Sequence, residues 1–210
     1  MSILSKNYLA DSSQDEESSE SGWISWYCSL EGHKFLMEVP EDYIQDAFNL
    51  YGLKAKVSMF NEAIELILTG GVPDEDDLQD EGFLEIYKAS SELYALIHAR
   101  YSQTTGGLST MREKFIAGIY GICPRVLCEK QRVLPIGISD QLGISRAKIF
   151  CPKCQDIYVP KEKHANIDGA NFGTSTPHLF LQTYSEFYPS TNHNKYVPKV
   201  YGFRLHEVIK

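Results

Sequence analysis

Cys123-Pro-Arg-Val-Leu-Cys128 and Cys151-Pro-Lys-Cys154 are two short cysteine motifs with 22 residues between them, and they contain four of the five cysteines in the chain. Two close pairs at this separation allow each pair to form a tight turn, so that all four thiolates converge on one ion. Tetrahedral Zn²⁺ prefers four soft ligands of this kind. The spacing therefore predicts that Cys123, Cys128, Cys151 and Cys154 bind one zinc ion.

Two alternatives for these cysteines are two disulfides and four unrelated buried thiols. An intracellular compartment disfavours disulfides, and unrelated thiols would not show the paired spacing. Four cysteine ligands leave no coordination position for a reactive water, so we expect a structural and not a catalytic zinc. Basic neighbours should offset the thiolate charge, and some flanking apolar residues should form an exposed patch that marks a partner surface. The basic candidates are Arg125, Lys130, Arg132 and Lys153, and the apolar ones are Val126, Leu127, Ile157 and Tyr158.

Upstream of the cysteine motifs, from Pro40 to Gly121, apolar residues recur with helical spacing. Four or five helices are predicted, because glycine or proline breaks fall at Gly52, at residues 70–73 and at Gly106-Gly107. Order should begin at Gly22, just before two tryptophans. The helical series are Ile44, Phe48 and Tyr51; Phe60, Ile64 and Ile67; Phe83, Ile86, Ser90, Leu93 and Ile97; and Leu108, Met111, Phe115 and Ile119.

After Gly121 the pattern changes to short β-branched or aromatic runs separated by turn residues. These runs, at residues 148–150, 156–159, 179–184 and 200–205, predict strands. The fold class expected from the sequence is α+β: an N-terminal helical domain, then a zinc-ribbon β domain, then a C-terminal strand or hairpin segment.

The charge of the chain is unevenly distributed. The 210 residues carry a net charge of -8, but residues 1–111 contain 6 basic and 20 acidic residues, whereas residues 112–210 contain 14 basic and 8 acidic ones. The overall acidity argues against a whole-surface nucleic-acid binder. No apolar run is long enough to span a membrane and no signal peptide is present, so a soluble intracellular protein is expected. Residues 1–21 are rich in Ser, Asp and Glu and are predicted to be a disordered acidic tail.

No enzyme motif is found in the sequence. A phosphate-binding glycine loop, kinase HRD or DFG triplets, a G-x-S-x-G elbow and HExxH are all missing. The six histidines are scattered, and Cys28 is most simply a buried core thiol. We therefore expect no catalytic residues and no enzymatic activity.

Several strings together resemble the regulatory beta subunit of casein kinase II, from Trp23 to about His206. They are WISWYCSLEGHKFLMEVPEDYIQDAFNLYGL, LYALIHARY, GICPRVLC, LPIGISD, CPKCQDIYVP, DGANFGT and VPKVYGF. The resemblance implies a non-catalytic subunit that forms a homodimer through its zinc ribbon. Each dimer would carry two catalytic alpha subunits, stabilise them and alter the choice of protein substrates, in the cytoplasm and nucleus.

The resemblance also implies a division of the chain. Residues 22–121 would form the helical domain with an acidic loop at 73–81, residues 122–185 the dimerisation domain, and residues 186–210 the segment that docks the kinase. The four cysteines of the motifs match the zinc ligands of the family. Pro124, Val126, Leu127 and Ile157 match its dimer contacts, although the family usually has an aromatic residue at the position of Leu127.

Tyr201 and Phe203 match the aromatic pair that fills a cavity on the catalytic subunit. In a strand they would share one face, and Gly202 would permit a tight bend. The alternative is that both rings pack on their own domain. Ser12 and Ser13 each precede an acidic residue by three positions, which is the pattern that this kinase class phosphorylates. The acidic loop, a regulatory and cation-binding surface in the family, contains Asp74, Glu75, Asp76, Asp77 and Asp80.

The sequence departs from the family in three further places. The His-rich stretch after the second motif is reduced to residues 163–166, and the basic PKRP-like segment is replaced by residues 189–193. The long C-terminal tail is largely missing, and together these departures predict altered assembly. The competing hypotheses are a zinc-ribbon protein that binds nucleic acid through the basic half and an adaptor that binds no kinase. A zinc enzyme is disfavoured by the closed set of four ligands.

Overall fold

The computed structural model describes residues 22–160, 166–189 and 196–205, and these ranges form a mixed helix and sheet structure. The α-helices are α1 (Trp23–Ser29), α2 (Glu41–Gln45), α3 (Phe60–Thr69), α4 (Glu81–Tyr101), α5 (Thr105–Ala117) and α6 (Thr176–Thr183). Short 3₁₀ turns occupy Asp77–Gln79, Val126–Cys128, Gly169–Asn171 and Ser185–Phe187. The predicted tail at residues 1–21 lies outside the described residues. Within the three ranges, no helix has both the length and the apolar composition needed to cross a membrane.

The strands form two small antiparallel sheets. In the first, β1 (Leu134–Ile136) pairs with β2 (Lys148–Phe150), which in turn pairs with β3 (Ile157–Tyr158). The second is a hairpin of β4 (Lys199–Val200) and β5 (Phe203–Arg204). The predicted runs at 148–150 and 156–159 therefore contain strands. The run at 200–205 is not one strand, because Tyr201 and Gly202 form the turn of the hairpin.

Helix α4 is the centre of the helical part of the molecule. Asp80 caps its first turn by accepting a hydrogen bond from the Gly82 N–H at 3.0 Å. One side packs on α3, where the Ser90 hydroxyl donates to the Ala63 carbonyl at 3.3 Å. The Trp23 ring of α1 stacks on Tyr27 and meets Tyr94 of α4 edge-on. The helical periods of α3 and α4 are thus confirmed by a shared apolar core.

Two helix predictions were wrong in their bounds. The series Ile44, Phe48 and Tyr51 predicted one helix, but α2 ends at Gln45. The Asp46 carboxylate accepts a hydrogen bond from the Phe48 N–H, so an aspartate side chain replaces the carbonyl that a continuing helix would supply. Gly106 and Gly107 were predicted as a break, yet they lie in the first turn of α5, whose N-cap is Thr104.

The predicted strand at residues 179–184 is also wrong, because α6 occupies most of this segment. Pro177 lies in the first turn of α6, a position where its missing N–H costs nothing. Phe180 is fully buried and packs against Phe115 of α5, with ring centroids 5.5 Å apart. Aromatic residues predicted a strand here, but packing of one face against the core stabilises a helix instead.

The helical part of the chain and the part with the cysteine motifs share one core. His98 of α4 hydrogen-bonds to the carbonyl of Asn171 at 2.7 Å. The hydroxyls of Ser102 and Thr176 are 3.2 Å apart. Buried apolar residues continue from α4 and α5 into β1 and β2 without a gap.

Candidate metal centre

Two tight turns place the four cysteines. In the first motif, the Cys123 N–H donates to the Gln131 carbonyl at 2.8 Å, and Cys128 ends a 3₁₀ turn. Glu129 and Lys130 then adopt left-handed backbone conformations, which reverse the chain. In the second motif, Cys151 follows β2 directly and the Gln155 N–H donates to its carbonyl at 2.8 Å. Each turn directs its two thiols to the same side.

The four sulfur atoms converge as predicted. All four cysteines are buried, and their Sγ atoms lie within 4.8 Å of one another. Cys123 Sγ and Cys154 Sγ are 3.9 Å apart, and none of the cysteines forms a disulfide. Tetrahedral zinc–sulfur bonds of about 2.3 Å would place sulfur atoms about 3.8 Å apart. Cys123, Cys128, Cys151 and Cys154 therefore fit one structural zinc ion, which would supply no catalytic function.

Burial affects the protonation of the thiols. In the absence of an ion, burial raises the pKa of Cys128 to about 11 and raises that of Cys151 further. Zinc binds the thiolate forms, so loading must release protons and becomes weaker as the pH falls.

Polar neighbours surround the sulfur atoms. The Arg125 N–H donates to Cys123 Sγ at 3.4 Å, and the Tyr158 hydroxyl lies 3.3 Å from Cys154 Sγ. Burial would lower the pKa of the Arg125 guanidinium, but the Cys128 and Cys154 sulfurs raise it, as expected for a cation beside thiolates. Lys153, which was predicted to offset the thiolate charge, forms a salt bridge at 2.9 Å with Glu129, the residue that follows the first motif.

The residues predicted to contact a second copy lie on the outside of the two motifs. Val126 is 90% exposed and Ile157 is also exposed, whereas Pro124 and Leu127 are half-buried. The sequence prediction missed Ile122 and Val159, which are exposed apolar residues next to the same turns. Their positions, one residue before Cys123 and two after Ile157, could have signalled that the apolar patch continues there.

The β4–β5 hairpin presents the two aromatic residues predicted to dock a kinase. Tyr201 is 97% exposed and Phe203 is 78% exposed. Tyr201 and Gly202 both have positive φ angles, 50° and 85°, as in the two-residue turns that match strand twist. The tight bend predicted at Gly202 is confirmed. Neither ring is buried against the described part of its own chain.

The acidic loop is ordered by its own carboxylates. Asp74 accepts hydrogen bonds from the N–H groups of Asp76 and Asp77, and Asp77 accepts one from Asp74. Asp80 caps α4. Glu75 and Asp76 point into solvent at the loop surface. The predicted phosphorylation residues Ser12 and Ser13, and residues 163–165 of the reduced His stretch, lie outside the described residues.

Comparison with known proteins shows which family this chain resembles. The family model for the casein kinase II regulatory subunit matches residues 22–204. Casein kinase II subunit beta of Dictyostelium discoideum is 44% identical over 209 residues, which cover 97% of this chain and 77% of that protein. The subunit beta of Schizosaccharomyces pombe is 43% identical over 197 residues, covering 93% and 84%. Casein kinase II subunit beta' of Drosophila melanogaster is 43% identical over 193 residues, covering 90% and 86%.

These matches define a non-catalytic regulatory protein, and its four-cysteine site fits one structural zinc ion. The chain belongs to the family of casein kinase II regulatory beta subunits. Membership implies association with catalytic kinase subunits and dimerisation.

Proposed function

We propose that this chain forms a homodimer through its zinc-bearing residues 122–185 and that the dimer carries two catalytic alpha subunits. Residues 22–121 form the helical domain of this scheme, and residues 186–210 dock the kinase. The assembly stabilises the catalytic subunits and alters their choice of protein substrates in the cytoplasm and nucleus.

The observation that carries the proposal is the exposure of the Tyr201 and Phe203 rings on the β4–β5 hairpin. Large aromatic residues are costly to leave in water, and paired aromatic anchors that fill a pocket are typical interface hot spots. The two-residue turn at Tyr201-Gly202 holds the hairpin tip in one shape, so little entropy is lost on docking. A hairpin of two-residue strands also has little core of its own to receive these rings.

The dimer contact in this proposal is the apolar surface of the cysteine motifs. Val126 and Ile157 lie on it with the half-buried Pro124 and Leu127. Leucine at position 127 keeps the surface apolar but gives less contact area than an aromatic residue would. The acidic loop supplies a regulatory, cation-binding surface through Glu75 and Asp76, and phosphorylation of Ser12 and Ser13 would add roughly -1.5 to -2 charge each to the acidic tail.

Sedimentation of the full chain mixed with the catalytic subunit tests the docking proposal. The wild type should form a stable heteromer, and Tyr201→Ala/Phe203→Ala should weaken it by at least about tenfold without changing the thermal unfolding midpoint. Ile144→Ala, which removes another exposed apolar side chain, is the control and should leave assembly unchanged. Equal association of the wild type and the double variant would refute the assigned docking residues.

The nucleic-acid hypothesis predicts binding that falls steeply with salt. Family membership favours the kinase regulator instead. Titration with duplex DNA and RNA at low salt should show no specific binding.

A further inference from the structure

Residues 46–53, which we call the aromatic turn, expose two large rings far from the cysteine motifs in the sequence. Phe48 and Tyr51 are each 83% exposed. Single exposed apolar residues are common on protein surfaces, but here two rings stand within one turn, joined by a hydrogen bond from the Tyr51 N–H to the Phe48 carbonyl at 3.3 Å. The sequence pattern predicted one helix through both residues, but the structure places them in a turn after α2, where both rings are exposed.

The aromatic turn is held in place by the rest of the molecule. The Arg100 guanidinium of α4 donates to the carbonyls of Asn49 at 2.6 Å and Tyr51 at 2.8 Å. The Asn49 amide donates to the Tyr43 carbonyl at 3.0 Å, and Leu53 is buried in the core. A rigid turn that presents two aromatic rings loses little conformational entropy when a partner binds.

The charge around the aromatic turn selects the partner. Glu41, Asp42 and Asp46 are exposed and lie within the seven residues before Phe48. The Asp46 carboxylate also accepts a hydrogen bond from the Phe48 N–H. Lys54 and Lys56 follow the turn, but residues 22–111 contain 15 acidic against 5 basic residues. The helical part of a second copy would carry the same net negative charge and would be repelled, whereas a cationic partner would be attracted.

An arginine side chain fits these features better than lysine. Its planar guanidinium can stack on an aromatic ring and also donate two parallel hydrogen bonds to one carboxylate. The Asp46 carboxylate accepts a hydrogen bond from the Phe48 N–H, so an arginine that stacks on the Phe48 ring has an acidic side chain two residues away in the chain. Apolar side chains beside the arginine would cover the remaining ring surface.

We propose that the aromatic turn is a docking surface for a basic protein segment in which arginine and apolar residues are neighbours. The surface is formed by Phe48 and Tyr51, with Asp46 as the charged partner. Its residues differ from those of the apolar patch on the cysteine motifs and from those of the β4–β5 hairpin, so it adds a third contact to the proposed assembly.

Fluorescence anisotropy with the full chain tests this proposal. The probe is a fluorescein-labelled peptide in which arginine and leucine alternate, and the matched probe has glutamate in place of arginine. The wild type should bind the arginine probe, and Phe48→Ala/Tyr51→Ala should weaken binding at least about tenfold. Asp46→Asn keeps an oxygen acceptor for the Phe48 N–H and should weaken binding about threefold at low salt, with less salt dependence. Ile144→Ala should bind the probe as the wild type does.

Several results would overturn the proposal. Equal binding of the arginine and glutamate probes would show that the surface does not select a cationic partner. Binding of the arginine probe by Phe48→Ala/Tyr51→Ala as tight as by the wild type would show that the two rings do not form the surface. A loss of self-association by this double variant in the absence of probe would show that a second copy occupies the surface. Phe48→Ala/Tyr51→Ala should still form the heteromer with the catalytic subunit as the wild type does, so a failure of this proposal is distinguishable from a failure of the hairpin proposal.

Discussion

The backbone N–H of Met37 donates a hydrogen bond to Nε2 of His98 at 3.0 Å, although 61 residues separate them in the chain. Because Nε2 accepts, the proton of the neutral ring lies on Nδ1, which donates to the Asn171 carbonyl at 2.7 Å. His98 is fully buried. One imidazole thus links the segment after α1, helix α4 and the 3₁₀ turn that leads to α6.

The stability of the protein should depend on pH through His98. Burial lowers the pKa of this ring to about 4 from 6.5, with a further lowering by Lys114, while the Asn171 carbonyl opposes the shift. The unfolded chain binds the proton more readily, so this stability is complete above pH 6.5 and is lost as the pH falls towards 4. Between pH 7 and pH 5 the loss from His98 should be about 2 kcal/mol. Urea unfolding at both pH values measures it.

His98→Gln provides the comparison for this pH dependence. His33 also has a pKa lowered by burial, and zinc binding weakens in acid, so the wild type has more than one titrating contribution. Both contributions remain in the variant, and the difference between the two proteins isolates His98. The variant should be less stable at pH 7 and should show a shallower pH dependence. If the free energies of unfolding of the wild type and the variant changed in parallel with pH, His98 would not be the source of the pH dependence.

Removal of one zinc ligand should disrupt the metal centre. Cys151→Ser should reduce the bound zinc well below one ion per chain and lower the thermal unfolding midpoint, because zinc binding by four cysteines contributes directly to folding. Cys28→Ser is the matched control: this cysteine lies near the Tyr94 hydroxyl, 3.4 Å away, and should leave the zinc content unchanged. Elemental analysis of both purified proteins decides; full zinc occupancy in Cys151→Ser would contradict a four-cysteine site.

Arg100 should stabilise the aromatic turn. Arg100→Met removes the two hydrogen bonds to the Asn49 and Tyr51 carbonyls. Because the guanidinium is partly exposed, solvent screening limits the expected cost to about 1–2 kcal/mol in the free energy of unfolding. Arg146→Met, at an exposed arginine, should change it by less than about 0.5 kcal/mol. Urea unfolding of the two variants measures the contrast, and equal values would argue against a held turn.

Gly107 should tolerate no side chain. A Cβ atom at this position would collide with the backbone carbonyl of Tyr101 and with Ser102 Cα. Helix propensity alone would make alanine more stable than glycine here by about 1 kcal/mol. The sign of the change in stability therefore shows whether the steric collision or the helix propensity dominates. Gly107→Ala should destabilise the protein by about 2–4 kcal/mol. Gly71→Ala, where a Cβ would meet nothing nearby, should have little effect on the thermal midpoint.

Sequence patterns predicted those features that local chemistry determines. The four zinc ligands follow from their spacing, because each pair needs only one tight turn to bring its thiols together. The apolar period of α4 and the bend at Gly202 likewise depend on residues close in the chain. The resemblance in sequence strings also predicted the family, which the comparisons confirm.

Other features depend on residues that are distant in the chain. Phe180 belongs to a helix because Phe115 and the core cover one of its faces, and an isolated segment of aromatic residues could equally be a strand. His98 gave no signal as a structural link, since its partners Met37 and Asn171 are 61 and 73 residues away.

The sequence alone determined the metal ligands, the acidic and basic halves and the main helices, because composition and short spacing encode them. Only the tertiary structure decided which apolar residues face solvent. Phe48 and Tyr51 have the period of a buried helical face, yet the Asp46 side chain ends the helix and Arg100 holds the following turn outside the core. Burial is a property of contacts between distant segments, and no local pattern specifies those contacts.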